Sequence, residues 1–136
     1  MEHLLEVKNL SVSIDGPSGE VQAVRDVSFS LKKGEVLAIV GESGCGKSVL
    51  CKSIMKLLPP SAKIKEGSIS VNGQDITCYR EKEMQKLRGR IFSMIFQDPM
   101  TSLNPTIKIG KQIAEAVLIH NKKYTKEQVN QKVLEL

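Results

Sequence analysis

The chain has 136 residues, 40% of them hydrophobic and 26% charged, and a formal net charge of +5 at pH 7. This length suits one domain with a sizeable core, and the scattered positive charge is compatible with an anionic ligand or a membrane surface without establishing either. The absence of Trp and an aromatic share of 4% argue against a stacking platform for single-stranded nucleic acid. No apolar run approaches the roughly 18 residues of a membrane span, so we expect any membrane link to be peripheral.

The first 35 residues predict two strands joined by a turn. Residues 4–14 alternate imperfectly between apolar and polar, as in a half-buried strand, and residues 15–19 have the composition of a turn. Apolar residues then alternate up to Leu31 in a second strand, and residues 32–35 form a tight charged turn. The apolar run 36–40 predicts a third, buried strand, which suggests a mixed sheet.

The most informative stretch is residues 41–48, which fit the phosphate-binding pattern G-x-x-x-x-G-K-[ST] at every fixed position. Glycines let successive backbone N–H groups point at one phosphate chain, and the helix that follows adds its unpaired donors. Lys47 can reach the β- and γ-phosphates, and the Ser48 hydroxyl can take a position on Mg²⁺. The predicted nucleotide-binding residues are Gly41, Glu42, Ser43, Gly44, Cys45, Gly46, Lys47, Ser48 and Val49. The simpler interpretation, a glycine-rich turn that binds nothing, requires all four fixed positions to match by chance.

The three cysteines and two histidines add no second site. Cys45, Cys51 and Cys78 lack metal-ligand spacing and indicate reduced thiols in a cytosolic protein. Cys45 holds a variable position of the loop, where we expect a small filler rather than a redox switch. His3 and His120 are expected to be surface residues.

After the loop, residues 49–58 predict a helix that Pro59 and Pro60 stop. Residues 63–66 are predicted as a polar connection, 67–71 as a short strand, and Asn72-Gly73 as a hairpin turn. A charged exposed helix is predicted over 80–90, followed by a strand over 91–96 that runs into Gln97. The remainder predicts a loop over 100–105, a helix over 107–120, and a last helix after the capping-box spacing Thr125–Gln128.

Several segments together resemble the ATP-binding subunits of ABC transporters, and most of all those of oligopeptide and dipeptide (or nickel) importers. They are residues 23–29 before Gly34, the loop 41–48, residues 67–69 before Asn72-Gly73, and residues 96–105. The last of these, Phe-Gln-Asp-Pro-Met-Thr-Ser-Leu-Asn-Pro, resembles the Q-loop of the peptide-importer branch. The loop 41–48 alone would not separate ABC proteins from other phosphate-loop NTPases, and the resemblance covers nearly the whole chain.

This resemblance implies an α/β phosphate-loop NTPase core with a mixed or antiparallel N-terminal β subdomain. It places the ATP-binding core in residues 1–97 and the start of an α-helical subdomain in residues 98–136. Lys47 and Gln97 would be catalytic, with Ser48 and Gln97 on Mg²⁺ and Gln97 relaying the nucleotide state. The family stacks an aromatic residue on adenine, and the corresponding position here is Ile14.

For the intact protein, the resemblance implies an ATPase that powers import of peptides or nickel from the cytoplasmic face of the plasma membrane. The expected partners are membrane permease subunits, a second ATP-binding subunit and, indirectly, a peptide-binding protein, with no nucleic acid. The family also needs a signature segment, a Mg²⁺-binding Asp, a catalytic Glu and a switch His. None of these is found in residues 98–136, so we expect a truncated N-terminal part that does not hydrolyse ATP alone and exposes apolar strand edges that favour self-association.

Two alternatives belong to other functional classes. One is a soluble ABC-type ATPase acting on nucleic acid or ribosomes, which would show salt-sensitive nucleic-acid binding. The other is a regulatory module that binds nucleotide without hydrolysing it, and that would be stabilised by nucleotide without turnover.

Overall fold

The computed structural model of the protein describes residues 3–97 and 102–136. The chain divides into two compact units, Met1–Gln85 and Lys86–Leu136. The loop 41–48 belongs to the first unit, and Gln97 belongs to the second.

The first unit is built on a four-stranded antiparallel sheet. Its strands are β1 (Leu5–Gly16), β2 (Gly19–Leu31), β3 (Ala62–Val71) and β4 (Gln74–Asp75), in the spatial order β2-β1-β3-β4. The two predicted N-terminal strands are confirmed. The polar connection predicted over 63–66 is wrong, because these residues extend β3 and pair with β1, for example Lys63 with Ser13. Every pairing between the described strands is antiparallel, so the described part of the chain contains no mixed sheet.

The core of the first unit is built mainly from apolar side chains of β1 and β3. Because β1 has a neighbour on each side, it supplies three of the most deeply buried side chains, Val7, Leu10 and Val12. The helix α1 (Lys47–Ile54) contacts β1 and β2 and buries Leu50 and Ser53. Burial of Ser53 leaves no polar group unsatisfied, since its hydroxyl donates to the carbonyl oxygen of Val49 at 2.6 Å. The core therefore fixes α1, and with it the end of the preceding loop.

Strand β1 is bulged at nearly the same position against both of its neighbouring strands. The register of β1 shifts between Val7 and Leu10 against β2, and between Lys8 and Ser11 against β3. Asn9 and Asp26 both have positive φ, 48° and 47°, and the Asn9 amide donates to the Asp26 carboxylate at 2.8 Å. Gly67 on β3 has φ +92°, and a Cβ there would lie 2.4–2.6 Å from backbone atoms of residues 8–10. Glycine is thus required where β3 crosses the bulge of β1.

The hairpin between β3 and β4 turns at Asn72-Gly73, as predicted. Both residues have positive φ, 50° and 75°, which is the type I′ geometry that suits a two-residue hairpin. Beyond β4, Thr77 donates from its hydroxyl and its backbone N–H to the Asp75 carboxylate. These bonds lower the pKa of Asp75 below its ordinary value.

The strands predicted over 36–40 and 91–96 are wrong for this structure. Neither segment joins the described sheet; the latter has an isolated bridge between Arg88 and Phe92. Most of their apolar side chains are exposed, with Val36 at 97%, Val40 at 90% and Ile95 at 98%, whereas Phe92 and Met94 are half-buried. A strand forms only when a neighbour accepts and donates its backbone hydrogen bonds, and the described residues provide no such neighbour. The apolar pattern alone could not supply that information.

The remaining helices agree with prediction in kind and differ in extent. They are α2 (Glu81–Leu87), α3 (Ile109–His120) and α4 (Lys126–Glu135). The capping box of α4 is confirmed in both directions, since the Gln128 N–H donates to the Thr125 hydroxyl and the Thr125 N–H to the Gln128 side chain. Helix α1 ends earlier than residue 58, before the positive φ of Lys56.

The helix predicted over 107–120 is confirmed as α3, and it contains no buried residue. Within the second unit α3 packs on α4, where Val129 is buried. The loop predicted over 100–105 falls partly on residues 98–101, which lie outside the described residues. No helix in the described ranges is both long and apolar enough to cross a bilayer.

Replacement of Gly67 tests the close approach at the bulge. We expect Gly67→Ala to destabilise the chain by about 3 kcal/mol or more, because the methyl group would meet backbone that cannot move aside. Gly73→Ala is the matched control: Gly73 also has positive φ, and no atom lies within 4 Å of the added Cβ. Its cost should stay near 1–2 kcal/mol. Urea unfolding midpoints measure both, and equal losses would contradict the packing argument.

The Asp75–Thr77 bonds predict a pH dependence. A lowered folded pKa contributes stability that is complete above the unfolded value, near pH 4, and is lost as the pH falls through the folded value. We therefore expect Asp75→Asn to be less stable than the original chain at pH 7, with a difference that shrinks towards pH 2.5. Urea midpoints at pH 7, 5 and 2.5 measure this. A difference that stays constant would show that the ionised carboxylate is not involved.

Candidate functional site

The loop 41–48 enters α1 through two glycines with backbone conformations that side chains disfavour. Gly44 has φ +83° and Gly46 has φ +93°. A Cβ on Gly46 would lie 2.1 Å from the carbonyl oxygen of Ala23 on β2 and 3.8 Å from a methyl group of Val24. The end of the loop therefore touches the sheet directly, and this contact sets where α1 begins. Ala23 is a site residue that the sequence did not indicate, since strand alternation does not identify a distant partner.

Lys47 closes the loop on itself. Its ammonium donates to the carbonyl oxygens of Gly41 at 2.7 Å and Glu42 at 2.6 Å, and lies 3.4 Å from the sulfur of Cys45. A lysine has three donors, so these contacts use all of them. None of the described ion pairs involves Lys47, and its partners here carry no formal negative charge. The loop therefore encircles a positive charge that no described carboxylate neutralises.

The first turn of α1 adds further donors. Gly46 is its N-cap with no side-chain cap bond, and the turn contains no acidic residue. The first N–H groups of a helix have no partner inside the helix and form the positive end of its dipole. Ser48 lies in this turn with an exposed side chain. Exposed donors, a helix N-terminus and the lysine together suit an anion such as a phosphate chain.

Cys45 packs inside the loop. A Cβ on Gly41 would lie 2.6 Å from the Cys45 sulfur, so the thiol fills the space that the first glycine leaves. Cys45 is exposed, as the open loop requires. This position agrees with the expected filler role. Within the described residues, no group of three or more His, Cys, Asp or Glu residues is placed to hold a metal ion.

Gln97 is exposed at the end of the segment 91–97. It belongs to the second unit, and Asp98 to Thr101 lie outside the described residues. Its role at a nucleotide therefore stays a prediction.

Ile14, the predicted base-contacting residue, is half-buried on β1. Its cross-strand neighbours are Val21 on β2 and Ala62 on β3. Val21 precedes Ala23 by two residues, a spacing of about 7 Å along a strand. An aliphatic patch of Ile14, Val21 and Ala62 thus lies close to the point where Gly46 touches β2. The sequence indicated Ile14 through a resemblance and gave no signal for its two neighbours.

Comparison with known proteins agrees with this geometry. The profile of the ABC transporter family matches residues 24–135. The dipeptide transport ATP-binding protein DppD of Lactococcus lactis is 53% identical over 135 residues, which is 99% of this chain and 39% of that protein. The oligopeptide transport ATP-binding protein OppD of Bacillus subtilis is 56% identical over 134 residues, 98% of this chain and 37% of that protein. The chain therefore spans about two fifths of the curated relatives that it matches.

Solved structures support the fold. A dimer of the ATP-binding cassette MJ0796 in a post-hydrolysis state with ADP and Pi has a TM-score of 0.79 at 21% identity, covering 96% of this chain and 54% of that one. The protein cbiO1 of Clostridium perfringens, part of the transporter complex cbiONQ, has a TM-score of 0.70 at 24% identity, covering 99% and 49%. The glycine loop closed by Lys47, the family profile and these folds agree, and the chain belongs to the ABC transporter family.

Proposed function

We propose that this chain is the nucleotide-binding part of an ATPase subunit that energises import of peptides, or of nickel, through an ABC permease. The observation that carries the proposal is the loop 41–48, which encircles the Lys47 ammonium at the N-terminus of α1. The two relatives named above are a dipeptide and an oligopeptide transport ATP-binding protein, and they support the peptide branch. ATP hydrolysis, transport and the choice of substrate are proposed for the whole protein.

Phosphate binding follows from the charges of the loop. Lys47 exchanges its contacts with two carbonyl oxygens and a thiol for contacts with phosphate oxygens, which form stronger charge-assisted hydrogen bonds. The N–H groups of Gly44, Gly46 and the first turn of α1 complete the cradle. Glycine is needed at 46 because a Cβ would collide with the carbonyl oxygen of Ala23, whereas at 41 a Cβ would meet only the thiol of Cys45. Gly44 faces open space, and its φ of +83° disfavours a side chain.

Mg²⁺ fits this site through the exposed hydroxyl of Ser48 in the first turn of α1. A hydroxyl oxygen is a hard ligand, and Mg²⁺ is commonly bound through few protein groups together with phosphates and water. The bound ion would neutralise charge on the phosphates during phosphoryl transfer. Gln97 is the proposed second polar ligand and the residue that relays the nucleotide state.

For the whole protein we propose residues 1–97 as the ATP-binding core and residues 98–136 as the start of a helical subdomain. Membrane permease subunits, a second ATP-binding subunit and, indirectly, a peptide-binding protein are the proposed partners, at the cytoplasmic face of the plasma membrane. The dimeric state named for one structural neighbour and the transporter complex named for another support this assignment.

Substitution of Lys47 tests the cradle. We expect Lys47→Ala to weaken Mg-ATP binding by about 100-fold or more, because charge-assisted bonds to phosphate are lost. Lys52→Ala removes the same charge from the last turn of α1 and should change affinity little. Titration calorimetry measures both, and equal affinities of the two variants would contradict the assignment.

The same preparations report on hydrolysis. We propose that residues 1–136 alone bind Mg-ATP without turnover, because the signature segment, Mg²⁺-binding Asp, catalytic Glu and switch His of the family are not found in this sequence. Steady-state phosphate release that Lys47→Ala abolishes would refute this.

We further propose that the aliphatic patch of Ile14, Val21 and Ala62 contacts the adenine. Aliphatic contact lacks the additional stabilisation of a stacked aromatic pair, which is worth about 0.5–1.5 kcal/mol. Ile14→Tyr should therefore tighten Mg-ATP binding by roughly fivefold, as measured by calorimetry. Val27→Tyr, at another half-buried position on β2, is the control and should not tighten it. If Ile14→Tyr leaves the affinity unchanged, the base lies elsewhere.

A further inference from the structure

The charge of the chain is unevenly divided between its units. Residues 86–136 contain nine Lys and Arg residues against four Asp and Glu residues, so the second unit carries the entire formal charge of +5. Residues 86–97 and 116–126 contain six of these cations and no carboxylate. The scatter of positive charge along the sequence thus becomes a concentration in one unit.

These two segments meet at the C-terminal end of α3. The Arg90 guanidinium donates to the carbonyl oxygen of His120 at 2.5 Å. Gly89 is in close contact with the same residue, because a Cβ there would lie 2.3 Å from the His120 ring. The connection from α3 to α4 then adds Lys122, Lys123 and Lys126. We call Arg90, Ile119, Lys122, Lys123, Tyr124 and Lys126 the basic tip.

The backbone of the basic tip is held in place by hydrogen bonds. The Asn121 N–H donates to the carbonyl oxygen of Val117, and the Tyr124 N–H donates to that of Asn121. The capping box at Thr125 fixes the start of α4. None of the described ion pairs involves Lys122, Lys123 or Lys126. The three lysines therefore lie on a turn whose backbone is held in place, and their charged groups face solvent.

Apolar side chains are exposed among these cations. Ile119 is 58% exposed and Tyr124 is 37% exposed; Tyr124 follows Lys123 directly, and Ile119 lies three residues before Lys122. Lysines beside an exposed Tyr and a branched aliphatic residue suit the boundary between lipid headgroups and acyl chains, where each group finds its own environment. A nucleic-acid backbone would satisfy the lysines and leave Ile119 in water.

We propose that the basic tip binds anionic phospholipid headgroups at a membrane surface. This inference adds to the proposed nucleotide-binding function, which stands independently of it. The contact would hold the second unit against the bilayer without a membrane-spanning segment. The lysines would contribute charge attraction, and Ile119 and Tyr124 would enter the headgroup layer.

The test is flotation of the full chain with vesicles of phosphatidylglycerol and phosphatidylcholine, compared with phosphatidylcholine alone, at low and high salt. We expect binding only to the anionic vesicles, and weaker binding as salt screens the charges. Lys122→Gln/Lys123→Gln should lower the partition constant by roughly 25-fold, about fivefold for each lysine. Ile119→Gln should lower it by roughly fivefold without a change of charge.

Lys108→Gln/Lys111→Gln is the matched control. It removes two charges at the other end of α3, about 18 Å along a 12-residue helix, and should cost far less binding. Mg-ATP affinity and circular dichroism of every variant should stay unchanged, which separates this proposal from the nucleotide site and from misfolding. Equal binding of the original chain to neutral vesicles would overturn the proposal, and so would equal losses from the two lysine pairs. Tighter, Ile119-independent binding to duplex DNA would assign the tip to nucleic acid instead.

Discussion

The contact between Gly46 and the carbonyl oxygen of Ala23 is the constraint on which the site depends. It joins the phosphate loop to β2 with no side chain between them. Because β2 pairs with β1, and α1 packs over both, the position of the helix N-terminus is inherited from the sheet. A larger residue at 46 would displace the loop and the helix together. The sheet therefore fixes the end of the loop at Gly46.

Lys47 supplies the second constraint. Its three contacts bring the two ends of the loop together around one ammonium. Neutral carbonyl groups are weaker partners for an ammonium than phosphate oxygens are, so the same geometry both shapes the loop and favours exchange of these carbonyl contacts for contacts with an anion. Preorganisation of this kind lowers the entropy that binding must overcome.

Local signals in the sequence predicted local structure well. The Asn72-Gly73 turn, the Thr125–Gln128 capping box and the glycine loop each depend on residues a few positions apart, and each has the expected geometry. The strands over 36–40 and 91–96 failed because strand structure also needs a neighbour, which apolar composition does not identify. The prediction for residues 63–66 was wrong for the opposite reason. Their polar side chains indicated a connection, although the backbone of this segment pairs with β1. In the candidate site, the loop residues follow from their sequence pattern, whereas the nearby positions of Ala23, Val21 and Ala62 follow from the strands and their register.

The two ends of the phosphate loop are held differently, because the segment 36–40 that precedes the loop is exposed. Downstream, Gly46 and α1 are held by packing and a helical hydrogen-bond network, whereas upstream the chain enters without a sheet ladder. Amide hydrogens of residues 36–40 should consequently exchange with solvent far faster than those of Leu50 or Ser53. A ligand that orders the upstream side would have to offset the conformational entropy of those residues, so the affinity of the loop for such a ligand would depend on how freely residues 36–40 move.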